Sequence, residues 1–284
     1  MSTTGQLTAP NLTAEGANGV RYTYRRFGTA RPGSVPLIFL QHFRGNLDNW
    51  DPALVDPIAA HREVILLDNE GVGGSTGTVP TTVREMALGA MAFLDALGLN
   101  AYDLLGFSLG GCVAQEIALI RPHQVRRIVL AGTAPEGGRG FHHWTGDVAE
   151  AAMRDEPGAE DLLTLFFERS KTSQSKGTEF LQRIFTRQKD RDQPTDLATR
   201  DAQLAAISTW GIPDAARLGR LSVITHPVLV ANGVRDVMTP TSNTHLLGGH
   251  LPNARVVIYP DAGHGFLFQY PAEFAIEVTS FLDA

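Results

Sequence analysis

Tyr102-Asp103-Leu104-Leu105-Gly106-Phe107-Ser108-Leu109-Gly110-Gly111-Cys112-Val113 is the stretch whose reading decides the fold. Tyr102 to Leu105 is expected to be a short strand, ending at Gly106. From Leu109 to Ile120 the spacing is helical, and the helix stops before Pro122. Gly106-Phe107-Ser108-Leu109-Gly110 therefore occupies a turn leading from strand to helix. A serine on so sharp a turn needs small residues two positions to either side. The helix behind it offers a positive dipole end and a free backbone N–H at Leu109. Gly-x-Ser-x-Gly is common as a bare pattern; its place between strand and helix is what gives it weight.

The elements on either side extend the same rhythm. Val20 to Phe27 alternates after the turn signal Asn18-Gly19, which predicts an antiparallel pair near the start. Pro36 to Leu40 and Val64 to Leu67 are continuous apolar runs, with a short helix expected over Pro52 to Ala60 between them. Thr82 to Leu97 is helical and stops at Gly98. Further strands are expected at Ile128 to Ala131, Pro227 to Ala231 and Arg255 to Tyr259, and a closing helix over Pro271 to Leu282. Alternation of this kind predicts an α/β fold, with a mostly parallel central sheet and helices on both faces. One segment departs from it. Between about Pro135 and Leu221 no strand pattern occurs, and helices are expected near Asp161 to Arg169, Thr178 to Lys189 and Thr195 to Trp210. The domain expectation is thus a core of residues 1–134 and 222–284, with 135–221 as a helical cap over the carboxyl ends of the strands, where open α/β sheets bind ligands.

The 284 residues are 43% hydrophobic and 19% charged, enough for one large domain with a real core. A net charge of -6 without a basic stripe speaks against nucleic acid as a partner. The single cysteine, Cys112, excludes an intrachain disulfide and reads as a small buried hydrophobe. The opening residues lack the basic and apolar regions of a secretory signal, and no apolar run is long enough for a bilayer. The expectations are a cytoplasmic protein, no membrane partner, and a small-molecule substrate; a homodimer stays open.

A serine hydroxyl is a weak nucleophile until a base takes its proton. Of nine histidines, His264 stands out, in Asp261-Ala262-Gly263-His264-Gly265 after the last strand. The base in turn needs a carboxylate to hold its tautomer. Asp236 follows the strand Val228 to Ala231 and gives the order Ser108, Asp236, His264. Asp261 competes, but it lies three residues from His264 on the same loop and reads as a turn-shaping residue. Asp103 precedes the serine and falls outside this order.

On these residues the chain resembles the α/β-hydrolase fold superfamily, in its subgroup of small capped serine hydrolases of esterase and lactonase type. The likeness covers nearly everything outside the cap. Asp68-Asn69-Glu70-Gly71-Val72-Gly73-Gly74-Ser75 is similar to the family's D-x-x-G-x-G-x-S segment, read as a structural turn. Where the family has His-Gly-x, this chain has Gln41-His42-Phe43. Aligned on Trp50, His42 replaces the glycine, and Phe43 supplies the second oxyanion N–H beside that of Leu109. Arg44 and Asn46 either face the pocket, selecting a polar or anionic substrate, or brace the loop. The resemblance implies two-step acyl transfer through Ser108, with no cofactor and no metal. The leading function is hydrolysis of a carboxylic ester or lactone. Thioester, amide or carbon–carbon hydrolysis and cofactor-free perhydrolysis use the same three residues, and a ligand receptor on this fold is the non-enzyme alternative.

Four residues are candidates for the substrate pocket: Arg44, Phe107, Trp144 and Trp210. Phe166, Phe167, Phe180 and Phe185 give the cap an apolar character that serves packing, pocket lining or both. His142-His143-Trp144-Thr145-Gly146-Asp147 spells an acyltransferase-like HHxxxD outside its proper context; lining the pocket mouth is its expected role.

Overall fold

The computed structural model describes residues 4–31, 33–141 and 143–284. Eight strands form one sheet: β1 (Leu12–Glu15), β2 (Arg21–Gly28), β3 (Leu37–Leu40), β4 (Glu63–Leu67), β5 (Tyr102–Phe107), β6 (Val125–Ala131), β7 (Val228–Gly233) and β8 (Ala254–Tyr259). Their order across the sheet is β1-β2-β4-β3-β5-β6-β7-β8. β1 and β2 pair antiparallel, as Asn18-Gly19 foretells, with Gly19 at φ +79° in the turn. β2 also runs antiparallel to β4, and all later pairings are parallel. Every residue of β3, β5 and β7 is buried, so both faces of the sheet are covered. That is why β3 reads as an unbroken apolar run, and β5 and β7 as runs broken only by the buried Asp103 and Asn232, rather than as alternation.

The covering helices are α1 (Pro52–Ala59), α2 (Val83–Ala96) and α3 (Leu109–Ile120), followed by α4 (Gly146–Met153), α5 (Ala159–Phe166), α6 (Lys171–Ile184), α7 (Leu197–Trp210) and α8 (Ala215–Leu218), and then α9 (Ser242–His250), α10 (Phe266–Gln269) and α11 (Pro271–Asp283). α2 packs on α3, and α1 on α11. The Thr82 hydroxyl caps α2 by accepting from the Glu85 N–H, and Gly98 ends it at φ +66°.

α4 to α8 all lie between β6 and β7, and among the described residues that segment holds no strand. α6 packs against α10, and α7 reaches α2. Besides the four-residue α8 and α10, two helices went unanticipated in the sequence: α4, which begins inside the HHxxxD stretch, and α9, whose Gly248-Gly249 weakens helix propensity but which the parallel pairing of β7 with β8 demands as a crossover. α6 begins at Lys171, seven residues before the expected Thr178. Ser170 sets that start by accepting from the Ser173 N–H, a cap hidden in a polar stretch.

Candidate active site

Ser108 sits between β5 and α3 at φ 55° and ψ −120°, a conformation that L-residues avoid. Holding it costs about 1–3 kcal/mol, and the surroundings over-determine it. Its N–H donates to the Ala131 carbonyl at 2.9 Å, and its own carbonyl accepts from Gly111 N–H at 2.8 Å and the Thr133 hydroxyl at 2.7 Å. A Cβ on Gly106 would strike the Gly110 carbonyl, and one on Gly110 the Leu40 carbonyl. The two glycines are thus a packing requirement of strand and helix approaching so closely.

His264 and Asp236 reach the same edge from loops after β8 and β7. His264 Nδ1 and Asp236 Oδ2 are 2.7 Å apart, both side chains being buried. Asp236 Oδ1 accepts from the Met238 and Thr239 N–H groups, each at 2.8 Å, so the carboxylate is fixed at both oxygens. With Nδ1–H held by a carboxylate, Nε2 is the basic nitrogen of His264. Asp261 is turned elsewhere: its backbone is at φ 46° and its carboxylate accepts from the Ser170 hydroxyl at 2.8 Å. Gly265 N–H donates to the Phe166 carbonyl at 2.6 Å, tying the histidine loop to the end of α5.

Ser108 and His264 line one cavity of about 190 Å³. Ala151, Leu162, Leu165, Phe166 and Met238 make an apolar side; Arg44, Asn46, Asp192 and Thr195 make a polar one. Phe43 borders it as well. Among the described residues, neither the Phe43 N–H nor the Leu109 N–H has a hydrogen-bond acceptor. His42, also lining the cavity, is packed edge-on against Phe107 and Phe166, with ring centroids 5.3 and 5.1 Å away. Its Nδ1 lies 2.8 Å from the Phe43 carbonyl and so carries the proton. Burial, reinforced by nearby His264, pushes the His42 imidazole down to about 3, so it is neutral at ordinary pH. None of this was legible in His42 as a replaced glycine.

The four pocket candidates part ways. Arg44 lines the cavity, but its guanidinium donates to the carbonyls of Arg154 (2.6 Å), Asp155 (3.0 Å) and Thr195 (3.3 Å), so it braces. Asn46 does likewise, with Nδ2 donating to the Gln193 carbonyl at 3.1 Å. Phe107 is fully buried beneath the histidine, its ring centroid 4.8 Å from that of His264, and does not border the cavity. Trp144 packs on Phe43 from a neighbouring groove, its indole N–H spent on the Met238 carbonyl at 2.9 Å. Trp210 is fastened to the Ala134 carbonyl at 3.1 Å, in a different depression beside Arg84 and Glu116. Phe107, Trp144 and Trp210, expected at the pocket, thus stand outside the lining of this cavity and fasten the elements around it, while its apolar wall combines aliphatic side chains with Phe43, Phe166 and Phe185. Of the phenylalanines between β6 and β7, Phe166 and Phe185 border the cavity, while Phe167 and Phe180 pack, the latter stacked on Phe268 at 4.4 Å. His142 lies outside the described residues; Asp147 of the same stretch pairs with Arg169. Burial pushes the Cys112 thiol up to about 12, which leaves it inert.

Asp68, from the glycine-rich segment, accepts from Leu47 N–H (2.9 Å) and Gly74 N–H (3.1 Å), holding two loops together. Asp192 meets it from the segment before α7. Burial first, then Asp192, drives the Asp68 carboxyl well above the usual range; burial first, then Asp48, raises Asp192. Carboxyls raised in the folded state bind protons more tightly there than when unfolded. Their contribution to stability is thus full below the ordinary carboxylate pKa and is lost as pH rises through the raised values. Asp192→Asn, whose amide donates to Asp68 without a shared proton, is expected to raise Tm over wild type by an amount that grows from pH 5 to pH 9. A pH-independent difference in thermal melts would rule this out.

A family model described as alpha/beta hydrolase fold matches residues 35–271. A pimeloyl-[acyl-carrier protein] methyl ester esterase from Nitrosomonas europaea is 31% identical over 254 residues, 84% of this chain and 92% of that protein. Among solved structures, an alpha/beta hydrolase fold protein from Chitinophaga pinensis superposes with a TM-score of 0.92 at 42% identity, over 99% of this chain and 100% of that one. Est816, described as an N-acyl homoserine lactone degrading enzyme, gives a TM-score of 0.72 at 26% identity, over 95% of this chain and 100% of that one.

Proposed function

This chain belongs to the alpha/beta hydrolase fold family, and from that premise we propose that it hydrolyses a carboxylic ester or lactone through an acyl-enzyme on Ser108. His264 Nε2 takes the Ser108 proton as the hydroxyl attacks the carbonyl. Asp236 holds the imidazole in the tautomer that can do so and stabilises it once charged. The oxyanion is received by the Phe43 and Leu109 N–H groups, and His264 then activates the water that releases the acid. The observation that carries this reading is the 2.7 Å His264–Asp236 pair, whose histidine shares one cavity with a serine held on a strained elbow. Residues 135–221 act as the cap that roofs that cavity, leaving residues 1–134 and 222–284 as the core. No cofactor is needed for these steps. The esterase and lactone-degrading relatives carry out chemistry of the same class by their descriptions.

The aliphatic side of the cavity sets the acyl preference. Each methylene buried there contributes about 0.8 kcal/mol, roughly a fourfold gain in kcat/KM. Across p-nitrophenyl esters from acetyl to dodecanoyl, with simple lactones alongside, kcat/KM is expected to climb over the first few members and then fall once the chain outgrows the cavity. Activity on none of these substrates would overturn the reading. A profile without a maximum would overturn the role given to the aliphatic wall.

A further inference from the structure

Three successive backbone N–H groups on the oxyanion loop behave differently. His42 N–H donates to Gln41 Oε1 at 3.0 Å, and Gln41 Nε2 in turn donates to the Asn46 carbonyl at 2.6 Å. Arg44 N–H donates to Gln203 Oε1 at 2.6 Å. Only the N–H between them, that of Phe43, lacks an acceptor among the described residues. The peptide linking Phe43 to Arg44 is also held at its other end, where its carbonyl meets His42 Nδ1 at 2.8 Å. With the peptides before and after it pinned, the Phe43 N–H has little freedom to turn away from the cavity.

Gln203 is remote in sequence. It belongs to α7, its side chain is almost fully buried, and its oxygen is the acceptor for the backbone of a residue in a disfavoured conformation. Arg44 stands at φ 61°, in the left-handed region where a Cβ crowds the carbonyl. Such a residue persists only where its surroundings impose it. Here they do: besides the Gln203 bond, the Arg44 carbonyl accepts from the Thr195 hydroxyl at 3.1 Å and the guanidinium is held by three carbonyls of residues 154–195.

We propose that Gln203 is a positioning residue for the oxyanion hole: by holding the Arg44 N–H, it keeps the Phe43 N–H aimed at the reacting carbonyl oxygen. The inference rests on the hydrolase reading above. Its consequence is that the helical segment is part of the catalytic machinery as well as a roof. The donor is in place only while α7 is seated, and the histidine loop is tied to the same segment through Gly265 and Phe166.

The test uses the full chain, a p-nitrophenyl ester that wild type hydrolyses, and a boronic acid as tetrahedral analogue. Gln203→Leu fills the space without an acceptor. Its kcat is expected to fall roughly tenfold to a hundredfold, somewhat less than outright loss of an oxyanion donor, with KM changed less than about threefold. Boronate affinity should fall in parallel with kcat, which a purely structural role would not produce. Gln203→Glu keeps an acceptor oxygen and is expected to recover most of the rate. Should Gln203→Leu fail to fold by circular dichroism, Gln203→Asn, which draws the amide back by one methylene, is expected to show the same kcat-selective loss. Wild-type kcat in whichever of the Leu and Asn variants folds, or equal losses in the Leu and Glu variants, would overturn the proposal. An inactive wild type resistant to fluorophosphonate would instead overturn the hydrolase reading, so the two failures are distinguishable.

Discussion

Replacing Ser108 with alanine is expected to lower kcat by roughly 10³- to 10⁶-fold while the fold survives. The size follows from what the hydroxyl does. Without it there is no covalent intermediate, and His264 and the oxyanion donors are left to assist direct attack by water, which they do poorly. The fold survives because the Ser108 side chain bears none of the local structure. The hydrogen bonds that hold the elbow are made by its backbone N–H and carbonyl, and the close contacts belong to Gly106 and Gly110. Alanine keeps a Cβ at φ 55°, so strain is unchanged. Steady-state kinetics beside thermal melts separate the two quantities: a rate loss accompanied by a large drop in Tm would point to a damaged elbow rather than a missing nucleophile.

The second large effect concerns the carboxylate. Asp236→Asn is expected to lower kcat by about 10⁴-fold. An amide in that place, with Oδ1 still receiving the Met238 and Thr239 N–H groups, turns its NH₂ toward the imidazole. The proton then moves to Nε2, the nitrogen that must be free to take the serine proton. Asp261→Asn, by contrast, alters only a bond to Ser170 and a turn, and near wild-type turnover is expected. Measuring kcat for both variants decides between the two carboxylates. The reverse ranking would show that Asp236 is a structural group and that the histidine takes its support from elsewhere.

How much of this was legible in the chain differs from element to element. The fold was readable wherever one kind of residue does one job: β3 is buried on both faces and wholly apolar, and β5 and β7 are apolar but for the buried Asp103 and Asn232. The α3 helix was bounded to the residue because glycines force its start and Pro122 forces its stop. α9 was hidden because a glycine pair sits in its last turns, and α6 was placed late because its first turn is held by a serine cap rather than by apolar spacing. At the candidate site, the approach of Ser108, Asp236 and His264 to one sheet edge was readable because each follows a strand. The oxyanion loop was not. Its shape depends on hydrogen bonds to residues more than a hundred positions away, among them Thr195 and Gln203, and no local pattern encodes such a partner. The tryptophans misled for a related reason: an aromatic side chain signals burial, and whether that burial faces a cavity or a helix is settled only by packing.

The central claim is that Ser108 forms a covalent acyl-enzyme, and mass spectrometry of the intact protein after exposure to a fluorophosphonate tests it most directly. The hydroxyl oxygen attacks phosphorus, fluoride leaves, and the stable adduct stands in for the acyl-enzyme. The account requires one phosphonyl group per chain, located by peptide mapping on Ser108 and absent from Ser108→Ala. No adduct on a folded wild type, or an adduct that persists undiminished in Ser108→Ala, would contradict it.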